Sequence, residues 1–439
     1  MQTFSYPAKE LPFDDAYDVI VCGGGPAGVA AAMAAARSGA STLLIESANA
    51  LGGMSTRGMV PTWCPYSDGE KVVYRGIAKE IFDASTAALE VPPRHPLNWV
   101  GIDPEALKVI LDEKVTEAGV KVLFGTLIVD AASADGAVKA VICANKAGLS
   151  AYGAKVFVDC TGDADLVVYA HGETVKGDGN GHLQAATHCF ELTNVDVKTY
   201  LASPSLHGSN AQSPIHKVLA DGKYPLITDH HICQTAIRPD TVAFNAGHLW
   251  GVDPNDPAGV SKALIEGRRK AFAFRDALRE YVPESFGHAD VGATAETTGI
   301  RESRRIVADY ELTKDDYVAR RSFPDEIGRN CYYLDIHMSP EEVKATGHQS
   351  LRYGKGESHG IPYRSLCPKT LVNVLAAGRN IGTDRAVQGS TRVMPVCFVT
   401  GEAAGTAAAM AAKSASNDVH AVDADVLRET LRENGAYFL

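Results

Sequence analysis

The chain has 439 residues, 45% of them apolar and 22% charged, which suits a soluble globular protein of two or three domains. Its 42 basic and 53 acidic side chains leave a net charge of −11, which argues against a surface that tracks nucleic-acid phosphates. Nine scattered cysteines with no Cys-x-x-Cys predict reduced thiols and exclude a dithiol redox pair.

The first residues lack a basic region followed by an apolar run, and no later stretch reaches the roughly 18 apolar residues of a membrane span. A cytoplasmic protein with no membrane span is expected. The 14 histidines include no His-Glu-x-x-His and no grouped set of four ligands, so no metal is expected. His230-His231 reads as a polar loop pair.

In chain order, the first informative stretch is "DVIVCGGGPAGVAAAMAAARSGASTLLIES", residues 18–47. A β-branched apolar run predicts a buried parallel strand, and Gly23, Gly25 and Gly28 then fall at the spacing G-x-G-x-x-G. Pro26 and Ala27 open an alanine-rich helix that Gly39 ends, and a second apolar run ends at Glu46. In this arrangement Gly23 makes a tight turn, Gly25 admits a pyrophosphate, and Gly28 lets the helix lie close to the strand. Glu46, 18 residues past Gly28, is placed to accept hydrogen bonds from a ribose diol. A dinucleotide site follows, with NAD and FAD both open at this point.

Residues 103–118 read as a core-packing helix, with Asp103 as cap, Pro104 next, and Leu107, Ile110, Leu111 and Val115 on one face. Residues 120–160 then read as a strand, a hairpin-rich meander and a buried strand, ending in "DCTGDADL". Residues 181–364 change character, with glycine-rich and polar interruptions, and are assigned to an inserted substrate domain. Its helix near 257–281 carries Arg268, Arg269 and Lys270 as a solvated face. The chain returns at 365–439 with a buried strand ending in "GRN" and a Gly/Ala-rich helix after Pro395.

The segment after Glu46, with Ser47 and then Gly52, Gly53 and Met54, resembles FAD-linked flavoproteins of glutathione-reductase-like fold. Together with "TGIRESRRIVADYELTKDD", "IPYRSLCPKTLVNVLAAGRNIG" and "GSTRVMPVCFVTGEAAGTAAA", it resembles the FAD-dependent oxidoreductase family that includes xanthan-lyase-like flavoproteins. The resemblance implies an α/β fold. A Rossmann-like FAD-binding domain, a parallel sheet plus β-meander, is built from residues 15–180 and 365–439 around an inserted α+β substrate domain. It also implies that Thr161 and Gly162 pass close to FAD, that Gly378, Arg379 and Asn380 contact its phosphate and ribityl part, and that Arg392, Val393, Gly401 and Ala404 approach the ring. "AGRN" stands where many relatives of the wider superfamily have Gly-Asp, and Asp384 is a candidate replacement for that carboxylate.

The expected activity is FAD-dependent dehydrogenation or reduction of a small organic molecule by hydride transfer to or from flavin N5. A flavin monooxygenase and a non-catalytic FAD-holding subunit are the alternatives. No second nucleotide fingerprint is present, so electrons are expected to pass to or from a separate donor or acceptor. Self-association into a homo-oligomer is left open. His337, Arg301 and Tyr363 are the catalytic candidates, and Arg304, Arg305, His359, Arg364 and Arg57 the substrate-binding ones. An ion-pair network of Arg301, Arg304 and Arg305 with Glu302 competes with that role. FAD is expected to be non-covalent, with Cys64 a remote candidate for attachment.

Overall fold

The computed structural model describes residues 10–347 and 350–439. Its main sheet has seven strands. Lys121–Leu123, Thr42–Ile45, Phe13–Cys22 and Gly148–Asp159 lie side by side in parallel, and Ala137–Asn145 and Leu127–Ala134 continue as an antiparallel meander. Val374–Ala376, from the far end of the chain, pairs in parallel with Phe157–Asp159. The strand Gly148–Asp159 therefore serves both parts: its first half pairs into the meander and its second half into the parallel layer.

The helix Pro26–Arg37 is almost wholly buried, which its alanines permit, and it lies against the helix Met394–Lys413. A Cβ at Gly401 would strike the Ala27 carbonyl oxygen, and one at Gly405 the Ala31 carbonyl oxygen. Only glycine allows the two helices to approach this closely. The helix Pro104–Glu117 starts as expected, with the Asp103 carboxylate accepting from the Glu105 and Ala106 N–H groups.

The inserted part contains a four-stranded antiparallel sheet in the order Ile232–Arg238, Thr241–Ala246, Phe190–Thr193, Asp290–Thr294. The helix Pro257–Tyr281 covers it, with Phe274 packed on Phe190 and Phe190 stacked on Phe244 at 5.0 Å between ring centres. The core of this unit draws on residues 190–289, whereas Leu312, Tyr317, Ile327, Ile361 and Leu366 pack into the first core. The chain thus rejoins the dinucleotide-type unit well before the expected boundary at 364. Lys270 also departs from expectation: it is buried, with Nζ donating to the His248 carbonyl at 2.6 Å, because that face of the long helix turns inward. Among the described residues no single helix is long and apolar enough to cross a membrane.

Candidate active site

A cavity of about 1120 Å³ runs from the first glycine turn to the inserted sheet. That exceeds the roughly 300–1,000 Å³ of an ordinary small-ligand pocket, leaving space for an extended cofactor and a substrate. At one end stand Gly23, Gly25, Pro26 and Ala27 with Glu46 and Ser47. The Glu46 carboxylate is fixed by N–H groups from Gly24 at 2.6 Å and Ala48 at 2.7 Å, and Arg57 approaches it at 3.7 Å. A Cβ at Gly28 would collide with the Gly23 carbonyl, while one at Gly25 would meet nothing within 4 Å. The turn is therefore tight on the protein side and open on the cavity side, above the free N–H groups of the helix start.

The loop Thr161–Gly162 is held by Asp159, which accepts from the Thr161 N–H and hydroxyl at 3.0 and 2.7 Å and from the Val167 N–H at 3.0 Å. Its wall continues through Gly378 and Arg379 to Arg392 and Val393. The buried Nε atoms of Arg379 and Arg392 have no partner within the protein. Two cationic groups thus keep unused donors along this wall, as an anionic or carbonyl-bearing cofactor requires.

The other end is formed by Arg301, Asp335, Tyr332, Tyr333, Trp99 and three histidines, 231, 248 and 337. Arg301 Nη1 donates to the Ala185 carbonyl at 2.6 Å and the Thr187 hydroxyl at 2.9 Å. Burial, with Arg392 nearby, brings its pKa down to about 10, so it remains charged at neutral pH. Asp335 is pushed up by burial, yet His337, Arg392 and Arg301 together hold it well below the usual carboxylate range. Burial and then Arg301 lower His337 to about 3, which leaves it neutral. His248 Nε2 and His337 Nδ1 are 2.8 Å apart, and His231 stacks on His248 at 4.2 Å.

The sequence matches the family of FAD dependent oxidoreductases over residues 18–431. The chain belongs to that family. No curated protein matches it in sequence. Among solved structures it is similar to a geranylgeranyl bacteriochlorophyll reductase-like protein from Thermoplasma acidophilum, at 13% identity and a TM-score of 0.44, covering 96% of this chain and 84% of that one. It is also similar to the flavin-dependent brominase Bmp2, at 15% identity and a TM-score of 0.47, covering 95% and 83%. The OxyS anhydrotetracycline hydroxylase from Streptomyces rimosus aligns at 14% identity and a TM-score of 0.44, covering 94% of this chain and 65% of that one.

In this FAD-dependent oxidoreductase Gly23, Gly25, Glu46, Ser47, Gly53 and Met54 line the end of the cavity at the dinucleotide fingerprint. Thr161, Gly162, Gly378, Arg379, Arg392 and Val393 also line the cavity. Five others lie behind the wall. Gly28 closes the helix onto its strand, and Gly52 packs on Thr56 and Leu111. Asn380 donates to Asp159, Gly401 packs on the Ala27 carbonyl of the facing helix, and Ala404 is buried; neither of the last two is part of the cavity wall. Asp384 caps the helix Arg385–Thr391 through the Val387 N–H at 2.7 Å and is not part of the cavity wall.

Of the eight expected catalytic and substrate residues, Arg301, His337 and Arg57 reach the cavity. The other five are corrected by the structure. Tyr363 is buried and donates its hydroxyl to the Val419 carbonyl at 2.8 Å. Arg304 pairs with Asp165 and donates to the Asp163 carbonyl. Arg305 is buried on Glu302 at 3.1 Å, and Glu302 also takes Arg385. His359 is enclosed beside Tyr353, and Arg364 pairs with Asp325 at 2.9 Å. Arg304, Arg305 and Arg364 each already have a carboxylate partner, and Tyr363 and His359 are enclosed away from the cavity. His231, His248 and Asp335 line this end as well; the sequence carries no signal for them, since His231 reads as a loop residue and no short spacing joins it to 248 or 337.

Proposed function

We propose that the protein is an FAD-dependent dehydrogenase or reductase of a small organic molecule bearing an anionic group, with hydride passing between that molecule and flavin N5. The observation that supports this most is the buried, charged Arg301 on the wall of the same cavity that the dinucleotide fingerprint lines. When bound, FAD supplies the hydride and electron chemistry.

The protein's own contribution is orientation and exclusion of water. Arg301 is fixed by Ala185 and Thr187, so its guanidinium offers a preset site for a carboxylate. Arg392 lies beside it, anchored by Asp335 through the carbonyl at 2.8 Å and the carboxylate at 3.2 Å. Tyr332, Tyr333 and Trp99 line this end and limit water there. Burial pushes the Cys64 thiol up to about 12, so it stays protonated and is a poor nucleophile, which supports non-covalent FAD. A separate electron donor or acceptor and a cytoplasmic setting complete the reading; all nine cysteines are free.

An anaerobic screen of small carboxylates, sugars and ketones against the purified yellow protein tests it. Bleaching of the flavin band by a carboxylate is expected. Rapid reduction by NADPH without substrate would overturn it in favour of a monooxygenase. No bleaching by any substrate or donor would leave an FAD-holding subunit.

A further inference from the structure

We propose that His231, His248 and His337 form a binding site for one divalent transition-metal ion at the substrate end of the cavity. They come from three separate segments, yet one ring nitrogen from each lies within 4.8 Å of the other two.

The arrangement around them is that of supported ligands. His248 Nε2 faces His337 Nδ1 at 2.8 Å. The remaining nitrogens lie near carboxylates: His337 Nε2 is hydrogen-bonded to Asp335 Oδ2 at 3.4 Å, and His248 Nδ1 lies 3.2 Å from Asp229 Oδ1 without hydrogen-bond alignment. Metal-bound histidines characteristically turn their second nitrogen to a carboxylate in this way. Asp229 also accepts the backbone N–H groups of His231 at 2.8 Å and His248 at 3.0 Å, and Lys270 grips the His248 carbonyl. Two of the three ligand backbones are thereby tied to one carboxylate.

His248 Nε2 and His337 Nδ1 share a hydrogen bond in which either ring can donate. His231 Nδ1 and His248 Nδ1 are both buried without a hydrogen-bond partner within the protein. A metal ion uses all three rings. Bonds of about 2.0–2.1 Å to a common tetrahedral ion set its nitrogens about 3.3–3.4 Å apart, so the facing pair opens by roughly 0.5 Å and His231, stacked on His248 at 4.2 Å, turns out of that stack when the ion binds.

Three imidazoles favour zinc, iron, copper or nickel over magnesium or calcium, which prefer oxygen ligands. Asp229 and Asp335 favour a cation here, while Arg301 and Arg392 oppose it. With the ion bound, the four charged side chains leave an excess positive charge suited to an anionic substrate.

The test is calorimetric titration of Zn²⁺ into the chelator-treated, FAD-loaded protein, with bound metal counted by elemental analysis and flavin content read separately by absorbance. One Zn²⁺ per chain is expected, weakened more than tenfold in His231→Gln and His248→Gln and about 10–100-fold in Asp229→Asn. Absence of stoichiometric Zn²⁺ binding by the wild-type protein would overturn the proposal without touching the flavin assignment. Equal affinity in folded, flavin-loaded His231→Gln and His248→Gln would overturn it too, by placing the ion elsewhere.

Discussion

Arg301 and Thr187 are joined by a 2.9 Å hydrogen bond that aims a buried guanidinium at the substrate end of the cavity. The planar fork of arginine makes this contact and the one to the Ala185 carbonyl from a single nitrogen, while Nη2 donates to Asn245 Oδ1 at 3.5 Å and keeps a second N–H for an anion. Arg301→Lys keeps the charge but loses the fork. It is expected to lower kcat/KM for an anionic substrate by about 100-fold, roughly 2.7 kcal/mol, with flavin content unchanged. Steady-state kinetics on the flavin-loaded variant measure this, and an unchanged kcat/KM would remove Arg301 from the substrate site.

Gly28→Ala should act at the other end. Its added methyl meets the Gly23 carbonyl, so the helix must move away from the turn. Overpacking of this kind costs about 1–3 kcal/mol, and the displaced N–H groups lose their aim at the pyrophosphate. The expected result is protein purified largely without flavin and with a lowered melting temperature. Wild-type flavin occupancy in this variant would contradict the cofactor placement.

Arg305 separates a structural role from a substrate role. It is buried on Glu302, donates to the Thr383 and Gly177 carbonyls, and is not part of the cavity wall. Removing one partner of such a pair costs about 3–5 kcal/mol. Arg305→Met should melt at a clearly lower temperature while the folded fraction keeps its KM. A raised KM at unchanged stability would return Arg305 to the substrate site.

Glu402 predicts a pH dependence. It is buried in the Met394–Lys413 helix, and burial raises its pKa to about 7 despite an N–H donated by Ile77 at 2.9 Å. The folded protein therefore holds this proton more tightly than the unfolded chain. Its contribution is fully present below the unfolded value of about 4.5 and is lost as pH rises to about 7, amounting to roughly 3 kcal/mol. Glu402→Gln keeps an acceptor for Ile77 without the charge. Denaturation curves at pH 5 and pH 8 should show a smaller loss of stability in the variant, and identical pH slopes would exclude Glu402 as the source.

Much of the cofactor end was legible because its signals are local. The G-x-G-x-x-G turn, Glu46 and the Asp159–Gly162 loop each lie within a few residues of the backbone they shape. The Gly/Ala composition of the last long helix also announced close packing, but not its partner: Gly401 serves the Pro26–Arg37 helix and not a ring. The substrate end was far less legible. Arginines at 301, 304 and 305 look alike in the chain, and only their neighbours divide them into one cavity residue and two that are paired away from it.

Sequence by itself determined the dinucleotide turn, the acid at the end of the second strand and the family, since these depend on short-range spacing and backbone conformation. Tertiary structure decided which charges are already neutralised and which face the cavity. It also brought together His231, His248 and His337, which are separated by up to 106 positions. The physical reason is that desolvation and charge pairing depend on what surrounds a side chain in space, and distant strands and loops supply those surroundings only once the chain has folded.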